Sequence, residues 1–255
     1  MGYTVLQKSA ESPTVEQLKR AFGGVPGLLA PDAGKHCKET FGIIVRGFAE
    51  ARAAALQAGL NAEGIETEVI DDSQLPALPA IKLVRRLECV PEALMIFDPY
   101  GRKFSVEWAH VGIIAAGNVR QATFRRERTE KEEVKIKVVH GLIPITERKV
   151  TVAYNTREAA ATVNRAEIVL TRGVAQYSIE AEGFNYTYLG ERVTQDVTAN
   201  FLMLLRDLAK YGPRAALNRG ASANLAEPSA FVTYPHKNSL QEEIQWLLWK
   251  LRGES

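Results

Sequence analysis

Residues 239–251 read Ser-Leu-Gln-Glu-Glu-Ile-Gln-Trp-Leu-Leu-Trp-Lys-Leu, and this stretch holds two of the three tryptophans of the chain. Ser239 and Glu242 have the spacing of a capping box, which predicts that a helix begins at this point. On a helical wheel an aliphatic stripe lies on one side, and the tryptophans fall on the opposite flank. The stripe consists of Ile244, Leu247, Leu248 and Leu251. A helix with two apolar sides has to remove both of them from water.

Three kinds of surface could cover this helix. The stripe can dock on the chain's own domain, with the tryptophans covering a second patch of the same chain. Alternatively, Trp246, Trp249 and Ile244 contact a second subunit or another protein, because Trp is enriched at the interface positions that contribute most to binding. A membrane surface is the third alternative, with only Lys250 and Arg252 as basic anchors. The candidate partner-binding residues are therefore Trp246, Trp249 and Ile244.

The N-terminal region predicts a small α/β unit. Residues 3–7 have the pattern of a strand, and Val15, Leu18 and Phe22 then recur at helical spacing. A second helix is predicted to begin near Pro31. Further along come a short apolar strand, a third helix and an alternating strand, at residues 43–45, 49–60 and 66–70. The predicted order is strand, helix, helix, strand, helix, strand.

This order, with Val-Pro-Gly-Leu-Leu at 25–29 and Ala-Glu-Gly-Ile-Glu-Thr-Glu-Val at 62–69, resembles two related domains. They are the C-terminal domain of the ribosomal stalk protein and the peptide-binding adaptor of the Clp protease. The adaptor resemblance implies an Asn-Asp pair just after the first strand, where this chain has Lys-Ser-Ala-Glu at 8–11. What the resemblance implies is a compact domain, over about residues 3–70, of a type that binds other proteins.

The second half of the chain predicts strands followed by a helix. A Pro-punctuated connector at 71–79 precedes predicted hairpins around Asp98-Pro-Tyr-Gly101 and Gly117-Asn118. Later strands are predicted at 168–170, 175–179 and 185–188, and a helix at 197–211 ends at Gly212. Residues 144–164 fit poorly, so we interpret them as an inserted loop with a short helix at 157–163. The mixed charges at 125–133 predict a solvated hairpin tip.

Several antiparallel strands closed by one helix, over about residues 90–212, resemble the pleckstrin-homology architecture. In lipid-binding members basic residues occupy the first hairpin, where this chain has Arg102 and Lys103. The resemblance therefore implies Arg102 and Lys103 as possible anion or lipid contacts. Pleckstrin-like folds also serve protein partners, so lipid binding is only one alternative.

Composition excludes several classes of function. The 255 residues carry 32 Lys and Arg against 30 Asp and Glu, so no net field favours nucleic acid. Two cysteines, Cys37 and Cys89, have neither metal nor redox spacing, which indicates a reducing compartment and predicts a cytoplasmic protein. No secretory leader and no apolar run of membrane-spanning length are apparent, which argues against a membrane partner.

The sequence indicates no catalytic, metal or cofactor motif. The four histidines are dispersed, and no phosphate-binding glycine loop or nucleophile elbow occurs. We predict no catalytic residue, no metal and no cofactor, and a binding or adaptor protein without enzymatic activity. Its partner would be another protein or a second copy, held through the C-terminal helix. The competing hypothesis is an enzyme with an inter-domain site that uses His110, Glu107 and Tyr100.

The predicted fold class is α+β. A small α/β sandwich domain at 1–72 and a linker at 73–89 precede an antiparallel, pleckstrin-like β domain at 90–221 with its closing helix. A linker and the terminal amphipathic helix follow at 222–255. These boundaries rest on the composition change at the Pro-rich connector and on the polar stretch before the last helix.

Overall fold

The computed structural model describes residues 2–139 and 143–253, and the side chains of residues 122–160 lie outside that description. The fold is mixed α+β with a C-terminal helix, and two of its three sheets are wholly antiparallel among the described residues, which confirms the predicted α+β class. The chain divides into two compact units: residues 1–120 with 162–255 form the larger, here called the main unit, and residues 121–161 form the smaller. The predicted domain boundaries stay a prediction.

The N-terminal elements follow the predicted order. Their sheet has the strand order β2-β1-β3 and is antiparallel throughout. β1 is the central strand, and its neighbouring residues Val5 and Leu6 are both fully buried although they point to opposite faces. The helices cover the Val5 face. The elements are β1 (Tyr3–Gln7), α1 (Val15–Phe22), α2 (Ala33–Glu39), β2 (Ile43–Phe48), α3 (Glu50–Ala62) and β3 (Thr67–Asp71).

The predicted linker at 73–89 contains two strands. β4 (Ile81–Leu83) pairs in parallel with a later strand, and β5 (Leu87–Cys89) begins a three-stranded antiparallel sheet. The other strands of that sheet are β6 (Leu94–Phe97) and β7 (Lys103–Val106), which form the predicted first hairpin. Leu87 is fully buried, so this part of the connector contributes to the core. Three-residue strands are too short to show a pattern in the sequence.

The largest sheet is built around two very long strands, β8 (Val111–Val139) and β9 (Ile143–Leu170). Its order is β11-β8-β9-β10-β4, and β12 pairs with β8 as well. The other members are β10 (Gln176–Glu180), β11 (Ala216–Leu217) and β12 (Thr233–Tyr234). β10 is antiparallel to β9, whereas β4, β11 and β12 pair in parallel, so the sheet is mixed rather than antiparallel.

Several local predictions in this half are wrong. Gly117 is not in a turn but inside β8, where a Cβ would lie 2.3 Å from the Tyr234 ring, so glycine permits close packing. The loop and helix predicted at 144–164 are part of β9, and the charged stretch at 125–133 lies within β8 rather than at a tip. Residues 187–192, predicted to include the end of a strand, form a 3₁₀ helix. Strand pairing overrides local propensity in such segments.

Three helices complete the main unit. α4 (Val197–Tyr211) occurs as predicted, capped by the Asp196 side chain and ending at Gly212. α5 (Arg219–Ala226) was not predicted. α6 (Lys237–Gly253) is the terminal helix, and it begins two residues before Ser239. The backbone amide of Ser239 donates to Nδ1 of His236 at 3.2 Å, so the imidazole rather than the predicted capping box satisfies this end.

Both apolar sides of α6 are buried inside the main unit. Leu240, Ile244 and Leu248 join a core cluster with residues of β8 and β9. On the other side, Trp246 packs with the second face of the N-terminal sheet, which presents Leu6, Phe41, Ile43 and Ile70. The helix therefore connects two sheets of the same chain.

Candidate functional site

Trp246 is a core residue rather than a surface anchor. Only 2% of its surface is exposed, and its Nε1 donates a hydrogen bond of 2.6 Å to the carbonyl of Gln7. Its ring meets Phe41 edge to face, with 5.3 Å between the centroids. Gly42 has a φ of 75°, and a Cβ there would lie 2.4 Å from the Trp246 ring. The chain's own N-terminal sheet therefore occupies the surface proposed for a partner.

The other two candidate anchors also pack within the chain. Ile244 is fully buried in the cluster with β8 and β9. Trp249 is partly buried and packs against the cluster that contains Trp246. Of the three alternatives, burial of two patches within the same chain is the one that describes Ile244 and Trp246.

A buried ionic contact accompanies this docking. Glu243 is fully buried and accepts hydrogen bonds from the Tyr234 hydroxyl at 2.7 Å and the Arg219 backbone amide at 2.8 Å. The Arg219 guanidinium lies 3.3 Å from the Glu243 carboxylate and 3.6 Å from the Phe41 ring centroid. Burial raises the pKa of Tyr234. Every group in this contact has a partner within the fold, so we assign it a structural role.

A second polar cluster is buried between β9 and β10. Glu167 is fully buried and accepts from the Ser178 hydroxyl at 2.9 Å, while Arg165 pairs with Glu180 across the strands. Burial raises the pKa of Glu167 despite these hydrogen bonds and the nearby Arg165 charge. This cluster was not predicted from the sequence, because polar residues at alternate strand positions indicate a solvent-facing surface.

Arg102 and Lys103, the predicted anion contacts, lie at the turn between β6 and β7. Arg102 Nε is 2.7 Å from Asp98 Oδ2, and the backbone amides of Tyr100 and Arg102 donate to Asp98 Oδ1. Asp98 therefore neutralises Arg102 and shapes the turn. Lys103 is exposed at the first position of β7.

The structure brings together two of the three residues of the enzyme hypothesis. Glu107 and His110 line one groove of about 440 Å³, together with Thr171. Tyr100 does not join them, since it lies on the β6–β7 turn with 85% of its surface exposed. Glu107 and His110 are exposed side chains at a 3₁₀ helix.

A larger groove adjoins this one and also includes Thr171. It has a volume of about 630 Å³ and opens beside the last turns of α6. Leu248 and Leu251 form part of its apolar wall with Val111 of β8. Gly112 lets β8 approach closely, since a Cβ there would lie 3.2 Å from the Thr171 Cα. We call it the arginine groove because of its other lining residues, Arg172, Arg214 and Arg252.

The three arginines give this groove a positive rim. All three are exposed, and in the described part of the chain none of them has a carboxylate within ion-pairing distance. Arg172 is the only non-glycine residue with a positive φ, 63°, among the described residues. A side chain rarely adopts this backbone conformation, and such strain is common at binding sites. Guanidinium groups beside aliphatic side chains suit a ligand with carboxylates and apolar groups.

The arginine groove was not predicted from the sequence. Its arginines are far apart in sequence: Arg172 follows β9, Arg214 follows α4, and Arg252 lies in the last turn of α6. Of these arginines, only Arg252 was singled out in the sequence, together with Lys250, as a basic anchor for a membrane surface. Tertiary folding brings the three together.

Other classes of site find no support among the described residues. No group of three or more His, Cys, Asp or Glu residues there could hold a metal ion. None of the described helices combines the length and the apolar character that crossing a membrane requires.

Comparison with known proteins gives no assignment. No family model matches the chain, and no curated protein or solved structure shows significant similarity to it.

Proposed function

We propose that this chain is a non-enzymatic binding protein that holds an acidic, partly apolar segment of a partner protein in the arginine groove. The observation that carries the proposal is the combination of Leu248, Leu251 and Val111 with three exposed arginines that lack described acidic partners. The groove lies beside the C-terminal helix, where partner contacts were predicted. The helix residues that line it are Leu248, Leu251 and Arg252, not the predicted Trp246, Trp249 and Ile244.

The chemistry of the groove supports a polypeptide ligand. Carboxylates of Asp or Glu side chains can accept two parallel hydrogen bonds from one guanidinium group, a geometry that an arginine rim favours. Leu251, which is only partly buried, can cover an aliphatic side chain that lies between two such carboxylates. Because the arginines are exposed, salt should weaken the electrostatic part of the binding.

Two further observations agree with this proposal. The resemblance of residues 3–70 to protein-binding domains also supports a protein partner. Cys37 and Cys89 are both free thiols, which is consistent with a cytoplasmic location as part of this proposal.

The test uses a fluorescein-labelled synthetic peptide, Glu-Leu-Leu-Glu-Glu-Leu-Leu-Glu, and fluorescence anisotropy. A matched peptide with Lys in place of each Glu serves as the control. We expect saturable binding of the acidic peptide that weakens with salt. The double substitution Arg172→Ala and Arg214→Ala should weaken it at least tenfold, because two of the three cations are removed.

Arg85→Ala with Arg206→Ala is the control variant, since both of these arginines are exposed elsewhere in the fold. It should bind like the wild type. Equal binding of both peptides, or no effect of the groove substitutions, would contradict the proposal. Sedimentation with phosphatidylglycerol vesicles, lost in the groove variant while the peptide fails to bind, would assign the groove to a lipid surface instead.

A further inference from the structure

Within the residues that the structure describes, β8 has no strand partner on its outer edge beyond Val119. β8 spans 29 residues and β9 spans 28, whereas strands in globular proteins are usually about 3–10 residues long. β11 pairs with β8 at residues 113–114, and β12 pairs with it at 118–119. Beyond Val119, β9 is the only strand paired with β8 in the part of the chain that the structure describes.

The segments of β8 and β9 within residues 121–161, here called the ribbon, form the smaller unit. Only three residues separate the two strands, so the connection makes them antiparallel. An isolated two-stranded ribbon is marginally stable in water, and its outer edges carry unpaired N–H and C=O groups. A long edge of this kind is a template for pairing with another strand.

We propose that β8 pairs antiparallel with β8 of a second copy of this chain, with Thr129 on the two-fold axis. A two-fold interface must be self-complementary, because the same segment faces itself in the reverse direction. The sequence of residues 125–133, Arg-Arg-Glu-Arg-Thr-Glu-Lys-Glu-Glu, meets this condition. Basic residues dominate before Thr129, and acidic residues dominate after it.

In this register every charged position within residues 125–133 lies opposite a charge of the other sign. Directly opposite residues of opposite charge stabilise an antiparallel pair, and like charges destabilise it. The flanking positions Phe124 and Val134 are also opposite one another, and both are apolar. The charged pairs are Arg125 with Glu133, Arg126 with Glu132, Glu127 with Lys131, and Arg128 with Glu130.

The charges also select this register over its neighbours. A shift of one residue in one direction places Arg126 opposite Lys131 and Glu127 opposite Glu130. A shift in the other direction places Glu127 opposite Glu132 and Arg128 opposite Lys131. Either shift creates two like-charge pairs, so the Thr129-centred pairing is the favoured one. The net charge of this stretch is small, but its basic and acidic residues follow a definite order along the strand.

Charge reversal tests the proposal in the full-length protein. One variant carries Arg125→Glu with Arg126→Glu, and the other carries Glu132→Arg with Glu133→Arg. Each variant alone places like charges opposite one another at four positions of the dimer. We expect wild-type dimers in light scattering after size exclusion, and dissociation constants more than tenfold weaker for each variant alone.

Mixing the two variants should restore a heterodimer, because every reversed residue then faces an opposite charge. This rescue also shows that both variants are folded. Wild-type protein that stays monomeric at all accessible concentrations would overturn the proposal. Variants that dimerise as tightly as the wild type would do so as well.

A cysteine at the proposed two-fold axis provides a second measurement. Residues directly opposite in an antiparallel pair have Cα atoms about 4.5–5.5 Å apart, within disulfide range. Thr129→Cys should therefore give a covalent dimer on mild oxidation. Thr123→Cys, which faces position 135 in this register, is the matched control and should not. Peptide binding in the arginine groove should be unchanged in all of these variants, so the two proposals fail independently.

Discussion

The C-terminal helix α6 and the ribbon differ in what covers them. α6 has two apolar sides, and the chain's own sheets bury both, with Trp246 on one and Ile244 on the other. The ribbon is a pair of strands that no further described strand flanks. Apolar character alone therefore does not identify a partner surface, since a chain can satisfy it internally. An unpaired strand edge is a stronger indication, because its hydrogen-bonding groups require a partner or water.

The largest expected effect removes the contact that ties α6 to the N-terminal sheet. Trp246→Ala should lower the free energy of unfolding by about 3–5 kcal/mol, because it leaves a cavity and an unpaired Gln7 carbonyl. Urea denaturation measures this loss. Trp249→Ala, at a partly buried position of the same helix, should cost clearly less. Equal losses would show that Trp246 is not the principal anchor.

A pair of glycines in the N-terminal region tests the same contact between α6 and the N-terminal sheet. Gly42 and Gly47 have nearly equal φ values, 75° and 70°, but only Gly42 lies against Trp246. Gly47→Ala should cost about 1 kcal/mol, from backbone strain. Gly42→Ala should cost about 2–4 kcal/mol, because the added methyl group also displaces Trp246. If urea denaturation gives the same loss for both, the close approach of helix and sheet is contradicted.

The pH dependence of stability should report on the buried Glu167. Its folded-state pKa is raised above the ordinary value of 4.5 by burial. The folded protein then binds more protons than the unfolded one between these two pKa values, so stability falls as pH rises through that window. In Glu167→Gln this fall should become clearly smaller in denaturation curves measured from pH 4 to 8, and the part due to Glu242, whose pKa burial also raises, should remain. The exposed Glu182→Gln is the control and should retain the wild-type slope.

The smallest effect on stability is expected in the ribbon. Replacing residues 122–160 by an Asn-Gly turn should change the free energy of unfolding of the main unit by less than about 1 kcal/mol, since residues 121–161 form a separate compact unit. The same deletion should abolish self-association. A large loss of stability measured in urea would show that the ribbon contributes to the main unit.

Much of the N-terminal region was predictable, because short helices and strands there follow their local patterns. Leu18 and Phe22 recur at helical spacing, and both are buried as that pattern indicates. The second half was less predictable. β8 and β9 contain Gly117, Asn118 and Pro144, which indicate turns, yet pairing along the sheet keeps both strands continuous. The arginine groove had no local signal, since Arg172, Arg214 and Arg252 are far apart in sequence.

The sequence by itself determined the fold class, the elements of residues 3–71 and the presence of a terminal helix with two apolar sides. These features depend on periodicity and on end signals within a few residues, which are local properties of the chain. Only the tertiary structure decided that Trp246 lies on Leu6 and Phe41, that strands replace the linker and the loop, and that three arginines share one groove. Those outcomes depend on contacts between residues distant in sequence, whose energies no local pattern contains.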